Sequence, residues 1–356
     1  MVSSTRQNDF DFIKGCLILF VIWGHFCMYL SGPGYEKNLC TTYIRLFQMP
    51  LFLFISGYFQ KPVLSSSILV NKLKKSLYHI ALPMISWIVL VYLTKLMLNT
   101  SSYDGFSYFI ENAHGVVSLF WYLGCLLISI FIYSLISLFY NYNKTIGIIF
   151  FFVIMLATIT IKSSIFYFPF LWLFFCMGVI YKRYSNSLSF ISNSMYESRI
   201  LICMIVIVLF IGRGYKTVWT FYNLDNSILT NDSGFDSEII FIIFRYFAYG
   251  ISTICSFTLL RKLYGFMSKT RIADIVVSLG KETLFLYVAH VAILSLFANR
   301  IMRHVGYNDT ILPYSPTLRY YIVCTLFTVS MAAFLYYCAH WIKKHSKIAS
   351  KLFLGN

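Results

Sequence analysis

Ten apolar stretches run along this chain, each closed at both ends by short polar segments. They lie at 12–30, 43–60, 77–98, 116–140, 146–161, 165–181, 200–213, 239–260, 275–298 and 319–342. Most hold about 17–25 residues rich in Ile, Leu and Phe, enough to cross a bilayer as α-helices. Barrel strands would be half as long and would alternate strictly, which these runs do not. The pattern predicts an all-α, polytopic integral membrane protein of about ten transmembrane helices. The fifth and sixth are separated only by Lys162, Ser163 and Ser164. The polar stretch at about 214–238 is the longest and too short for a folded domain.

Composition supports this. The 356 residues are 59% hydrophobic and only 12% charged, with 35 Phe and 28 Tyr, and the mean hydropathy is +0.72. A soluble domain carries about a quarter charged residues. Here there is too little polar material to cover a water-exposed surface, and too much apolar material for a disordered chain.

The formal charge of +16 would point to nucleic acid in a soluble protein. In a polytopic one it follows the asymmetry of basic loops. One side of the ten-span arrangement holds Arg6, Lys61, Lys72, Lys74, Lys75, Lys144, Lys182, Arg183, Arg199, Arg261, Lys262, Lys269, Arg271, Lys343, Lys344, Lys347 and Lys351. The other holds Lys37, Lys162, Arg213, Lys216, Arg300, Arg303 and Arg319. The richer side is expected in the cytoplasm, with both termini. Asp9 and Asp11 precede the first apolar run, so that run is expected to stay as a helix rather than act as a cleaved signal. The nine Cys form neither a C-x-x-C pair nor a zinc pattern.

Ionisable groups inside spans cost free energy and therefore mark candidate sites. In the first span, Lys14 and His25 are eleven residues apart, close to three helical turns, so they share a face about 16 Å apart along the axis. Asp11 can pair with Lys14 one turn away. A packed core histidine is the plain alternative for His25. The second span holds Arg45 and Gln48 ahead of Pro50; Arg45 equally fits snorkelling to the interface. Arg245 is deep in the eighth span. Glu282 and His290 lie close to one face of the ninth. The cluster Lys72, Lys74 and Lys75 fits anionic lipid headgroups, and equally a phosphate-rich ligand. No phosphate-binding loop, nucleophile elbow or H-E-x-x-H motif is present.

These residues also carry a resemblance. Arg6-x4-Asp11-x2-Lys14-Gly15 with Gly24-His25, then Phe47-Gln48-Met49-Pro50-Leu51-Phe52 running to Ser56-Gly57-Tyr58, is similar to the first two spans of the membrane-bound acyltransferase family 3. The match continues through the basic run to Pro83 and Trp87, Trp121-Tyr122-Leu123, Phe168-Pro169 with Phe174, Phe175 and Gly178, and Leu279-Gly280-x2-Thr283-Leu284 with Tyr287 and His290. It covers about 6–298 in order and most resembles the O-acetyltransferases of surface sugars, the fucose O-acetylase-like branch. Lys14 stands where many members have Arg, Gln48 where the family has His, and Glu282 where Asn is common.

The resemblance implies a single membrane acyltransferase domain over 1–356, with the last span and a basic tail at 319–356. It implies acetyl transfer from cytoplasmic acetyl-CoA to a sugar hydroxyl of O-antigen, capsule or a lipid-linked precursor, at a bacterial inner membrane. His25 would be the general base, with Asp11 and Lys14 in the catalytic set, anchoring the start of that helix and helping to bind the donor. Lys72, Lys74, Lys75 and Arg6 would bind the donor. Arg45, Gln48, Trp121, Tyr122, Glu282 and His290 would line the acceptor site. It implies no metal, no bound cofactor and no nucleic acid; the partners are acetyl-CoA, the sugar acceptor and membrane lipid. A flippase or transporter, or a polysaccharide polymerase, is also polytopic with buried Arg and His. No paired broken repeats favour the first, and the short outer loops disfavour the second.

Overall fold

A computed structural model describes residues 7–31, 39–98, 115–160, 167–184, 194–214, 238–304 and 317–355. Arg6, the Lys162–Ser164 link and most of the 214–238 stretch lie outside them. Among the described residues the regular structure is entirely helical.

The first helix, α1 (Asn8–Ser31), is apolar on all sides, and a helix of that kind is stable only when surrounded. Phe12, Ile13, Leu17, Ile18, Ile22 and Cys27 are all buried. Around it stand α2 (Leu39–Tyr58), α3 (Ser66–Ser76), α4 (Leu82–Leu98), α5 (Trp121–Tyr142), α6 (Lys144–Thr160), α7 (Phe168–Tyr184), α8 (Ser194–Gly214), α9 (Glu238–Met267), α10 (Arg271–Lys281), α11 (Thr283–His304) and α12 (Leu318–His345). α1 packs directly on α2, α9, α10, α11 and α12.

α12 runs antiparallel to α1. Tyr320 donates to the Cys27 carbonyl and the Trp23 and Tyr321 rings stack near the start of α12. At its other end Lys343 pairs with Glu282, close to the Asp11 backbone that Gly280 abuts. The start of α1 and the end of α12 thus share one end of the bundle, here called the near end.

Among the described residues, two close helix crossings join α1 to α10 and α2 to α7. At the first, a Cβ on Gly280 would overlap the Asp11 carbonyl and one on Gly15 would overlap the Val276 carbonyl, so α1 and α10 meet backbone to backbone. At the second, Gly57 abuts the Phe175 carbonyl and Gly178 the Phe54 carbonyl, which locks α2 to α7. Small residues at such crossings let membrane helices approach closely enough for extensive van der Waals contact.

Among the described residues, six helical stretches are long and apolar enough to cross a membrane: Asn8–Tyr29, Leu39–Tyr58, Ser66–Lys95, Trp121–Tyr142, Ile242–Met267 and Leu318–His345. Shorter apolar helices occupy Lys144–Thr158, Arg199–Leu209 and Thr283–Phe297. Where described, the ten apolar runs are helical, but six helices rather than ten meet the length and apolarity of a crossing, and one run changes character. The stretch 275–298, expected as one span, is two helices broken at Glu282. Thr270 caps the start of α10 by accepting from the Ala273 N–H. At the break, the Glu282 N–H bonds the Leu279 carbonyl and the Thr283 hydroxyl donates to the Gly280 carbonyl. These bonds satisfy backbone groups that a helix end otherwise leaves open.

The third stretch also departs from a plain helix. Pro83 has no N–H to give the His79 carbonyl, so the chain widens into a π-turn at Leu77–Ala81, where Leu82 N–H bonds the Leu77 carbonyl. The last residues dock there. Trp87 Nε1 donates to the Phe353 carbonyl, His79 bonds the Gly355 carbonyl, and Gly355 takes a left-handed φ of 72°.

Candidate active site

His25 sits on the last third of α1, away from the near end. α2 returns antiparallel and places Arg45 and Gln48 opposite it. Together Val21, Gly24, His25 and Met28 of α1 with Thr41, Ile44, Arg45 and Gln48 of α2 line an open cleft of about 30 Å³. A water needs roughly 10–15 Å³ of such space, so the cleft has room for a hydroxyl group beside His25. A Cβ built on Gly24 meets nothing within 4 Å. Unlike the glycines at the helix crossings, Gly24 keeps space open beside the imidazole. The carbonyl oxygen of Gln48 is buried with no hydrogen-bond partner among the described residues.

The break at Glu282 starts α11 afresh and brings His290 against His25, with ring centroids 5.2 Å apart. His290 is fully buried. Its Nδ1 lies 2.7 Å from the Leu286 carbonyl. A carbonyl only accepts, so Nδ1 carries the proton and Nε2 the lone pair in the neutral ring. That Nε2 is buried without a partner among the described residues. A buried acceptor left unpaired costs about 1–3 kcal/mol, so its position beside His25 is a feature the fold maintains at a cost.

From His290 a line of rings leads across the bundle. Tyr287 meets His290 at 5.9 Å, Tyr122 meets Tyr287 at 5.3 Å, and Phe52 meets Tyr122 at 5.7 Å. Trp121 adjoins Tyr122 and packs edge-on to Tyr167 at 5.0 Å. His25, Arg45, Gln48, Trp121, Tyr122 and His290 are thus drawn into one region from α1, α2, α5 and α11. Tyr287 and Gly24 belong with them, although the sequence marked Tyr287 only as part of a motif.

The other expected site residues stand elsewhere. Asp11 and Lys14 form an ion pair of 2.7 Å at the near end, with Asp11 buried. Lys14 is about 16 Å from His25 along α1. Glu282 is buried at the near end and ion-paired to Lys343, outside the His25 cluster. On α3, Lys74 and Lys75 are exposed. Lys72 instead donates to the Lys61 carbonyl at 3.2 Å and lies 4.9 Å over the Tyr133 ring. Arg245 is buried 4.4 Å over the Phe170 ring. No group of three or more His, Cys, Asp or Glu able to hold a metal occurs among the described residues.

A family model described as an acyltransferase domain, Acyl_transf_3, matches residues 7–337. The chain is 26% identical to nodulation protein NolL of Mesorhizobium japonicum over 309 residues, covering 83% of this chain and 78% of that protein. It is 25% identical to nodulation protein NolL of Sinorhizobium fredii over 302 residues, covering 83% and 80%. No solved structure matches.

Proposed function

Because this chain belongs to the acyltransferase 3 family and is an acyltransferase, we propose that it moves an acetyl group from cytoplasmic acetyl-CoA to a sugar hydroxyl of a cell-surface polysaccharide or its lipid-linked precursor. The observation that carries this reading is the open cleft, with room for a hydroxyl group, in which His25 faces Arg45 and Gln48.

His25 takes the proton of the acceptor hydroxyl as its oxygen attacks the thioester carbonyl. Arg45 faces the negative charge that develops on the carbonyl oxygen, and the Gln48 amide orients the hydroxyl. As the tetrahedral intermediate collapses, the carbon–sulfur bond breaks and the thiolate takes the proton back from His25. The lone pair of His290 Nε2 lies beside the ring that is transiently cationic. The aromatic faces of Trp121, Tyr122 and Tyr287 suit a pyranose ring outside the cavity.

The donor's phosphates fall to the near end in this reading, with Lys14, Lys74 and Lys75 and, outside the described residues, Arg6. The near end is then cytoplasmic, as the loop charges favour. The thioester arm has to cover the roughly 16 Å between the levels of Lys14 and His25. The membrane is the bacterial inner membrane, where cytoplasmic acetyl-CoA is accessible.

The test is replacement of His25 by Ala and by Gln in cells lacking the native gene. Surface polysaccharide from both is expected to lose its acetate esters by NMR, with protein levels in the membrane unchanged. Full acetylation in either strain would overturn the assignment.

A further inference from the structure

A second, much larger cavity of about 700 Å³ opens at the near end between the end of α2, α5, α6 and α7. Its size is within the range of about 300–1,000 Å³ typical of organic-ligand pockets. Lys61, Lys182 and Arg183 stand at its mouth, while its interior includes Tyr133, Phe151 and Trp172. No residue of α1, α10 or α11 lines it, so it is separate from the His25 cavity.

Three observations define what it takes. The mouth carries three cations, and Lys72 adjoins it through the Lys61 carbonyl and the Tyr133 ring. The outer wall is α6, whose Ile149, Phe152 and Leu156 are more than half exposed; in a membrane these face acyl chains. Deep in the wall, Trp172 is completely buried, and its Nε1–H finds no acceptor among the described residues. With no surface of its own toward the cavity, Trp172 forms an apolar back wall against which a chain can lie. A phospholipid meets these demands, with a phosphate for the mouth and an apolar chain for the interior.

We propose that this cavity binds one anionic phospholipid of the bilayer, its phosphate at Lys61, Lys182 and Arg183 and one chain running past Phe151 toward Trp172. Its place beside lipid-facing α6, with nothing contributed by α1, favours a lipid over the acyl donor.

The test uses the full chain in vesicles containing either brominated phosphatidylglycerol or brominated phosphatidylcholine at equal content. The Trp172 contribution is the emission of wild type minus that of Trp172→Phe. It is expected to be quenched at least about threefold more by the glycerol lipid, and the excess is expected to vanish in a K61Q/K182Q/R183Q variant. Equal quenching by the two lipids in wild type overturns the proposal. So does relief of the quenching by saturating coenzyme A, which would make the cavity the donor site. Because Trp172→Phe can perturb folding, native mass spectrometry of detergent-solubilised wild type provides a second reading. One retained phosphatidylglycerol, lost in the triple variant, is expected; equal retention by both overturns the proposal.

Discussion

The rings of His25 and His290 lie 5.2 Å apart, tilted by 53°, although they come from the first helix and from the half-helix that begins after Glu282. His290 is fixed by its proton on the Leu286 carbonyl, and its remaining lone pair is buried beside His25. This makes His290 a positioning residue for the base. Replacing it by Phe keeps the ring volume and removes the lone pair. His290→Phe is expected to lower kcat about 10- to 100-fold, below the full worth of a general base, with little change in the KM for acetyl-CoA and an unchanged unfolding temperature in detergent. A fall in stability with intact kcat would reduce His290 to a packing role.

Gly24 offers a steric probe, because a side chain there meets open space and disturbs no neighbour. Gly24→Ala is expected to fold at least as well as wild type, since Ala favours a helix by up to about 1 kcal/mol over Gly. Gly24→Leu projects into the cavity beside His25 and is expected to abolish transfer while the protein still accumulates in the membrane. Activity of the two variants in membrane vesicles, set against their folded yield, separates the effects.

The two glycine crossings predict the opposite pattern. At Gly178 an added methyl collides with the Phe54 carbonyl, a backbone atom that cannot rotate away. Gly178→Ala is expected to cost about 1–3 kcal/mol, as overpacking does, and to lower folded yield. Gly280→Ala is expected to do the same against the Asp11 carbonyl. Thermal unfolding followed by intrinsic fluorescence checks both, and normal unfolding would show that the helices can separate without penalty.

For the α3 lysines the structure divides what the sequence grouped. Lys72 is committed to Lys61 and Tyr133, whereas Lys74 and Lys75 are exposed. Neutralising Lys74 and Lys75 to Gln is expected to raise the KM for acetyl-CoA several-fold and leave kcat nearly unchanged, the signature of lost uniform binding. An unchanged KM would return both residues to lipid headgroups.

Much of this protein was readable in one dimension. Apolar runs of bilayer length with few charges can only be buried helices, because backbone groups in hydrocarbon must be paired within the segment. Local spacing likewise placed Asp11 beside Lys14, and the motifs around Gly15, Gly57, Gly178 and Gly280 carried the family resemblance. The break at Glu282 left a mark in the sequence, since Gly280, Lys281 and Glu282 interrupt the apolar run and Arg271–Lys281 is polar along one side, but reading 275–298 as one span averaged over it. The resemblance put Glu282 in the acceptor region, whereas packing pairs it with Lys343.

Which polar residues meet was decided by tertiary structure alone. Arg45, Gln48 and His290 reach His25 from two other helices. The reason Gly24 stays open while Gly280 is pressed against a backbone also lies in neighbours distant along the chain. Sequence determines that these helices form and which faces are small or polar. Only their mutual packing, with backbone-close crossings such as those at Gly178 and Gly280, determines which of those faces line a cavity.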